Sequence, residues 1–600
     1  MKQRRLFGPA ARAVGATALV AAVQSVVACG GDSTGGPRSD SGVEGPTAGA
    51  GGESPGPALD ATAALYDPDR VLQIEVEMAP DDWDSLRRQS RSFLDVVGSS
   101  CLTRPPPTPF SYFSANLTID GETVAHVGLR KKGFFGSLSD EKPSLKVKFD
   151  EYDPDQTYSG EKRLTLNNSL SDPSYVKQCL GYAMFNAAGV PAPRCNFAYV
   201  SVNGEHLGVY VNVENVKKRF LRRHFTDDEG HLYEGALSDF RPGWVDTFEQ
   251  QTNAEEPSDR RDLETLVDAL SDPDEGLLDR VEPLVDLDEF TSFWATEYLL
   301  MHADGYSRNT NNFYVYHDPS SGRFHFIPWG IDAIMFPDTA LDWEEERPVG
   351  AAWAEGILAR RLYNVASMRG AYFSRLDDLL NEVWRESALL DEIDRMSDLI
   401  EPHLLDAERD GWADARRRLR EFVSDRRAQI EADRQSDPDY SGPLRDPWCI
   451  DPIGQLSATF ATTWSRLDVE DPLGNGNGTL DLELDGRSIT FLGVGSSSGP
   501  DEDSGQPAVR LVAPASETEI WVAQVSLTDA ADFAPGRSVP IDFVDAIGAV
   551  VRLDLSTDEP TLEIAGILGE GVLELESAEA EPGGAVEGRV LASTLFETPF

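Results

Sequence analysis

His302-Ala303-Asp304-Gly305-Tyr306-Ser307-Arg308-Asn309, followed by Asn312 and, past a strand-like run, by Trp329-Gly330-Ile331-Asp332, is the stretch on which the reading of this chain turns. An Asp, an Asn five residues later and a second Asp after a hydrophobic strand is a spacing used in phosphoryl transfer. There the first Asp orients the acceptor hydroxyl, and the Asn and the later Asp hold magnesium against phosphate oxygens. Asp and Asn are also common turn formers, so the stretch takes its meaning from what surrounds it.

Outward from it, the chain reads as strands in front and helices behind. Ile74, Val76 and Met78 alternate with Gln73, Glu75 and Glu77, and Leu145, Val147 and Phe149 alternate with Lys146 and Lys148. Leu117 and Ile119 precede the Asp120-Gly121 turn, with Val127 and Leu129 beyond it; Asn203-Gly204 marks a second hairpin leading into Val209-Tyr210-Val211. One helix interrupts, from Tyr175 to Ala188, stopped by Gly189-Val190-Pro191. From about Glu256 to Arg434 the apolar spacing turns to three and four, as in Leu263, Leu266, Val267 and Leu270. Within that region Phe313-Tyr314-Val315-Tyr316 and Phe324-His325-Phe326-Ile327 bracket a Pro319-Ser320-Ser321-Gly322 turn, a hairpin with Asp304 and Asp332 at its two ends. After Cys449 short strands follow one another between Gly-rich turns, the pattern of a β-sandwich over residues 450–600.

The balance of 53 basic against 103 acidic residues, net −50, argues against nucleic acid as a partner, since a phosphate backbone demands a positive surface. It suits the solubility of an exported protein. Lys2, Arg4 and Arg5 precede an apolar run from Ala13 to Val27 that closes on Val26-Val27-Ala28-Cys29, a lipobox-like end. This predicts a lipoprotein signal peptide over 1–28 with lipidation at Cys29, anchoring an exported protein to the bacterial envelope membrane; a plain signal peptide is the alternative. Residues 29–66 begin as a Gly/Ser/Pro-rich tether. In an oxidising compartment Cys101, Cys179, Cys195 and Cys449 allow one or two disulfides; Cys179 and Cys195 flank a helix-like segment, and the connectivity is left open.

Phosphates need cations, and the chain concentrates them in Arg130-Lys131-Lys132-Gly133 and in Lys142, Lys146 and Lys148. Alternation puts Lys146 and Lys148 on one strand face, where a solvated surface is the competing reading. Glu214, closing a strand, either bridges to a phosphate-binding lysine or caps the helix after it. Tyr233-Glu234-Gly235 is a candidate adenine-side segment. No HExxH and no CxxC occurs.

These pieces together resemble the CotH kinase family from about Val71 to Arg434. The matching blocks are Val127-Gly128-Leu129-Arg130 with Gly133, Lys142 through Phe149, Gly208 through Glu214, Asp304 through Asn309 to Asn312-Phe313-Tyr314, and Phe326-Ile327-Pro328-Trp329 with Asp332. The resemblance implies an α+β, atypical protein-kinase-like two-lobed domain over 67–440, with a β-rich N-lobe and a helical C-lobe. It implies transfer of the γ-phosphate of ATP, with Mg2+ or Mn2+, to Ser or Thr of envelope or secreted proteins. It assigns Asp304 as the catalytic residue, Asn309 and Asp332 as metal ligands, and Lys142 or Lys146, with Arg130 and Glu214, to the nucleotide. One departure stands out: the family's usual Trp-Asp-x-Asp reads Trp329-Gly330-Ile331-Asp332 here, one carboxylate short. The alternative expectation is therefore a non-catalytic, pseudokinase-like surface, adhesion or structural protein. A sugar-binding C-terminal domain, using Trp464 or Trp521, is a third.

Overall fold

The computed structural model describes residues 62–597, apart from 92–101, 135–136, 254–257, 337–349, 437, 439, 442–443, 445–449, 466, 468–475, 502–503, 543–544 and 558–560. Cys29, the signal peptide, most of the tether, Cys101 and Cys449 lie outside the described residues. The chain divides into two compact units, one ending at Arg445 and the other carrying the strands that follow it.

The first unit opens with seven strands: β1 (Val71–Met78), β2 (Phe113–Ile119), β3 (Glu122–Lys132), β4 (Ser144–Lys148), β5 (Arg163–Asn167), β6 (Cys195–Val202) and β7 (Glu205–Val213). They pair in the order β1-β2-β3-β4-β5-β7-β6, and β6 closes a barrel by running parallel to β1. Closure leaves no unpaired edge and encloses a core that includes Ile74, Leu117, Leu129, Val147, Leu166 and Val200. The Asn203-Gly204 turn between β6 and β7 has φ of 51° and 85°, which Asn and Gly supply at little cost. Because side chains alternate along a strand, Leu129 and Val147 point inward while their neighbours Arg130, Lys132 and Lys146 stand on the outer face.

The helix Lys177–Ala187 is tied to the start of β6 by a Cys179–Cys195 disulfide. Four strands follow: β8 (His231–Gly235), β9 (Glu249–Gln250), β10 (Phe313–Asp318) and β11 (Arg323–Pro328), in the order β11-β10-β8-β9. The hairpin expected from the sequence is therefore the edge half of a larger sheet, because β8 pairs with β10 from Gly235↔Phe313 to His231↔His317. Behind it pack the helices Leu287–Leu299, Ala366–Glu382 and Arg409–Asp433, with the Trp294 and Tyr372 rings 4.2 Å apart. Arg426, fully buried, donates to the Leu299 and Tyr298 carbonyls that end the first of these helices. Among the described residues no helix is long and apolar enough to cross a membrane.

The second unit is antiparallel throughout. Its pairing runs from Ile450–Thr463 through Ala585–Glu597, Thr561–Ala578, Ala546–Asp554, Glu519–Leu527, Pro507–Pro514, Gly495–Pro500 and Gly476–Leu484 back to the first strand. The expected sandwich is thus a single closed circuit, whose core holds Phe460, Leu511, Val525 and Leu573. Trp521 belongs to that core, and Trp464, partly buried, packs against Phe533 with ring centroids 5.0 Å apart.

The barrel interior carries the first unit. Leu166→Ala, which empties a fully buried position facing Leu145, is expected to cost about 2–5 kcal/mol, measured by urea denaturation.

Candidate active site

The site begins with a helix end. Asp286 caps Leu287–Leu299 by accepting the Glu289 N–H, and the helix delivers Glu297 within its last turn. Glu297 is fully buried and accepts the N–H groups of Tyr306 and Ser307, each at 2.8 Å. This carboxylate anchors the one-turn helix Tyr306–Asn309, and burial pushes its pKa up to about 7. A side chain at Gly305 would put a Cβ 2.2 Å from Glu297 Oε1, so that position requires glycine.

Asp304 lies in the turn so fixed, 3% exposed. Asn309 Nδ2 donates to its Oδ1 at 2.6 Å, Asn311 Nδ2 to the same oxygen at 3.0 Å, and Asn312 Nδ2 to its Oδ2 at 2.6 Å. The chain reaches this arrangement through left-handed residues at Thr310 and Asn312, φ 51° and 53°. Asn311 also accepts the Leu237 N–H at 3.1 Å, which ties the clamp to the segment after β8. Burial pushes the Asp304 pKa up to about 7 and the Asp332 carboxylate adds to the rise, while the three amides oppose it.

Asp332 follows β11 and is half-buried. Burial raises its pKa; Lys132 and Lys177 pull it down and Asp172 pushes it up. The Trp329 N–H donates to the Asn312 carbonyl at 3.1 Å, and Gly330 follows in the left-handed region at φ 55°. A Cβ there would stand 2.4 Å from Asn312 Oδ1.

Asp304, Asn309 and Asp332 are thus brought together. The four residues expected at the nucleotide have other contacts of their own. Arg130 donates to the Lys131 carbonyl at 3.1 Å and stacks over Tyr112 at 5.4 Å. Lys146 is buried on the outer barrel face, across the ladders from Arg130 and Thr165. Lys142 pairs with Glu408 at 2.6 Å and donates to the Tyr175 hydroxyl at 2.7 Å. Glu214 neither caps the next helix nor meets a lysine: its buried carboxylate pairs with Arg194 at 2.7 Å and with Arg223. Tyr233 and Glu234 are buried, the first donating to Ser258 and Asp262.

The cations that act on Asp332 are Lys132 and Lys177. Lys132 donates to Asn167 Oδ1 at 2.8 Å, and Asn167 donates to Gln178 Oε1 at 2.9 Å, a bridge from the barrel to the helix Lys177–Ala187. Strand alternation from Arg130, ending at Gly133, marks Lys132 in the sequence. Nothing local singles out Lys177, the first residue of a mostly buried helix.

A barrel joined to a helical body, with an amide-clamped Asp, a second Asp and basic groups facing it, defines a kinase-like protein. The family model described as CotH kinase protein matches residues 129–430, and the chain belongs to that family. The inner spore coat protein H of Bacillus subtilis (strain 168) is 24% identical over 317 residues, covering 50% of this chain and 82% of the relative. The inner spore coat protein H-like protein of the same organism is 39% identical over 56 residues, 9% of this chain and 18% of the relative. Among solved structures, the Shewanella oneidensis MR-1 complex of HipA, HipB and operator DNA matches 62% of this chain and 75% of its own, at 11% identity and TM-score 0.27. The Helicobacter pylori proinflammatory kinase CtkA matches 50% of this chain and 92% of its own, at 9% identity and TM-score 0.24. At these scores neither superposition bears on the fold of this chain.

Two outcomes follow from this geometry. Glu297 holds a proton in the folded chain up to about pH 7 that the unfolded chain releases near its ordinary carboxylate value. Wild-type stability should therefore fall, relative to Glu297→Gln, as pH rises from about 4.5 to 7 and stay level above, as read from urea midpoints. Gly330→Ala should cost about 1–3 kcal/mol in the same measurement, through its left-handed backbone and the displaced Asn312 amide.

Proposed function

We propose that this chain is an exported, lipid-anchored kinase that transfers the γ-phosphoryl group of ATP to Ser or Thr hydroxyls of envelope or secreted proteins. The observation that carries the reading is the Asp304 carboxylate, fixed in its turn by three amides and with Asp332 close enough to raise its pKa. A carboxylate so oriented can take a hydrogen bond from an incoming hydroxyl and orient it for in-line attack. Its raised pKa suits acceptance of a proton near neutrality.

The residues present fit a hard divalent cation. Asp332 and the Asn309 carbonyl offer oxygen donors, the ligand class that Mg2+ and Mn2+ take. Among the described residues no group of three His, Cys, Asp or Glu side chains gathers as a metal site, so phosphate oxygens and water would complete the coordination. A cation held there supplies charge neutralisation to the transferring phosphoryl group. Export and anchoring rest on the Val26-Val27-Ala28-Cys29 end of the apolar run and on the Cys179–Cys195 disulfide, which suits an oxidising compartment.

Gly330 favours a second reading, a protein of this family that binds without transferring phosphate. Restoring the missing carboxylate in place would require a left-handed non-glycine residue and a shift of the Asn312 amide.

The test is incubation of the full chain with γ-labelled ATP and magnesium or manganese, beside Asp304→Ala and Asp332→Ala. Label on the protein itself or on a generic acceptor is expected, reduced at least about a thousandfold by Asp304→Ala and abolished by Asp332→Ala. An ATP-induced rise in melting temperature without any transfer would establish the binding protein instead; neither effect would end the nucleotide reading.

A further inference from the structure

We propose that Lys177, together with Lys132, is the phosphate-receiving cation of this chain, in the position the family resemblance gave to Lys142 or Lys146. The assignment rests on the nucleotide reading above and names the residues of this chain that would meet the triphosphate.

Lys177 is 5% exposed, yet its ammonium makes no hydrogen bond and no ion pair with the described residues. Its contact is the face of Phe336, 3.1 Å from the ring centroid. An ammonium has three donors; those of Lys177 meet no acceptor among the described residues, and the atom is not sealed from outside, so an anion that reaches it would supply one. The nearby acids do not fill that role. Asp172 spends one carboxylate oxygen on Ser174 and the other on the backbone N–H of Lys177, and it reaches the Lys177 ammonium only through space. Asp332 likewise acts on Lys177 at a distance, and the exposed Arg418 adds positive field from the helix Arg409–Asp433.

Position agrees with this chemistry. Lys132 and Lys177 are the two cations that act on Asp332, and the Lys132–Asn167–Gln178 bridge holds one lysine beside the residue next to the other. Lys142, by contrast, already donates to Glu408 and the Tyr175 hydroxyl, and Arg130 stacks on Tyr112. A triphosphate placed beside Asp332 would therefore meet Lys132 from the barrel and Lys177 from the helix. Each would contribute charge-assisted hydrogen bonds.

The experiment is calorimetric titration of the full chain with sodium tripolyphosphate and with ATP, each with magnesium and with EDTA, for wild type, Lys177→Met, Lys177→Arg and Lys142→Met. Lys177→Met is expected to weaken both ligands at least about tenfold, more than Lys142→Met does, with partial recovery in Lys177→Arg. Far-UV circular dichroism and urea midpoints confirm folding, since Met fits a buried position and removes an unpaired charge. Wild-type affinity in Lys177→Met, or loss confined to Lys142→Met, overturns the assignment while leaving the kinase reading intact. Tripolyphosphate binding lost in Lys177→Met, with no preference for ATP, supports the anion site and counts against the nucleotide reading. A wild type that binds neither ligand overturns both.

Discussion

A carboxylate buried among asparagine amides is the constraint on which the rest of this site depends. The three amides satisfy lone pairs of Asp304 and fix the side chain's rotation, while burial leaves its pKa near neutrality. The cost is a run of awkward backbone. Thr310 and Asn312 sit in the left-handed region, Gly305 must lack a side chain, and a second buried acid, Glu297, is spent holding the turn.

The electrostatics of the molecule sharpen the point. A chain with net charge −50 repels ATP at long range, so any phosphate site must be built from local cations shielded from the acidic surface. Alternation supplies them at the end of β3 and in β4: inward Leu129, Leu145 and Val147 are followed by outward Arg130, Lys146 and Lys148. Most of the cations here are then engaged by the packing around them. Arg130 and Lys148 flank Tyr112, and Lys131, in the inward phase of β3, is fully buried against Asp140. Lys132 is set apart by its place at the strand's end, bridged through Asn167 to Gln178 of the helix Lys177–Ala187.

The acidic half of the site was legible in the sequence because it is local. Asp304, Asn309 and Asn312 share one turn, and Asp332 is carried back by a hairpin whose two strands and Pro319–Gly322 turn are plain. Asn311 was passed over beside Asn312, although the left-handed residues on either side of it aim its amide at the same carboxylate. The basic half was not legible, because it is assembled by long-range contacts. Whether a lysine is free depends on partners such as Glu408, 266 residues from Lys142, and no spacing rule reaches that far. Glu214 was misplaced for the same reason, since Arg194 and Arg223 converge on it only once β7 and the helix Lys218–His224 have packed. Closure of the barrel through a parallel β6–β1 pair was equally invisible: alternation reports which face of a strand is buried, not which strand lies beside it.

Gly330 brings these strands of argument together. Read from the sequence alone it is a deletion, a metal-binding carboxylate lost from Trp329-Gly330-Ile331-Asp332. In the fold it is a fit: the backbone takes a left-handed turn there and the Asn312 amide fills the space a side chain would need. Asn312 is also the residue that clamps the second oxygen of Asp304. The glycine and the asparagine therefore form one device, in which giving up a carboxylate beside Asp332 lets an amide press against Asp304. Loss of one acid also relieves like-charge repulsion in a site that already holds Asp304, Asp332 and Asp172 around two lysines. A site with fewer carboxylates needs less metal charge to balance it. Its cations then carry a larger share of the phosphate's charge, which is the role the unpaired Lys177 ammonium is placed to fill.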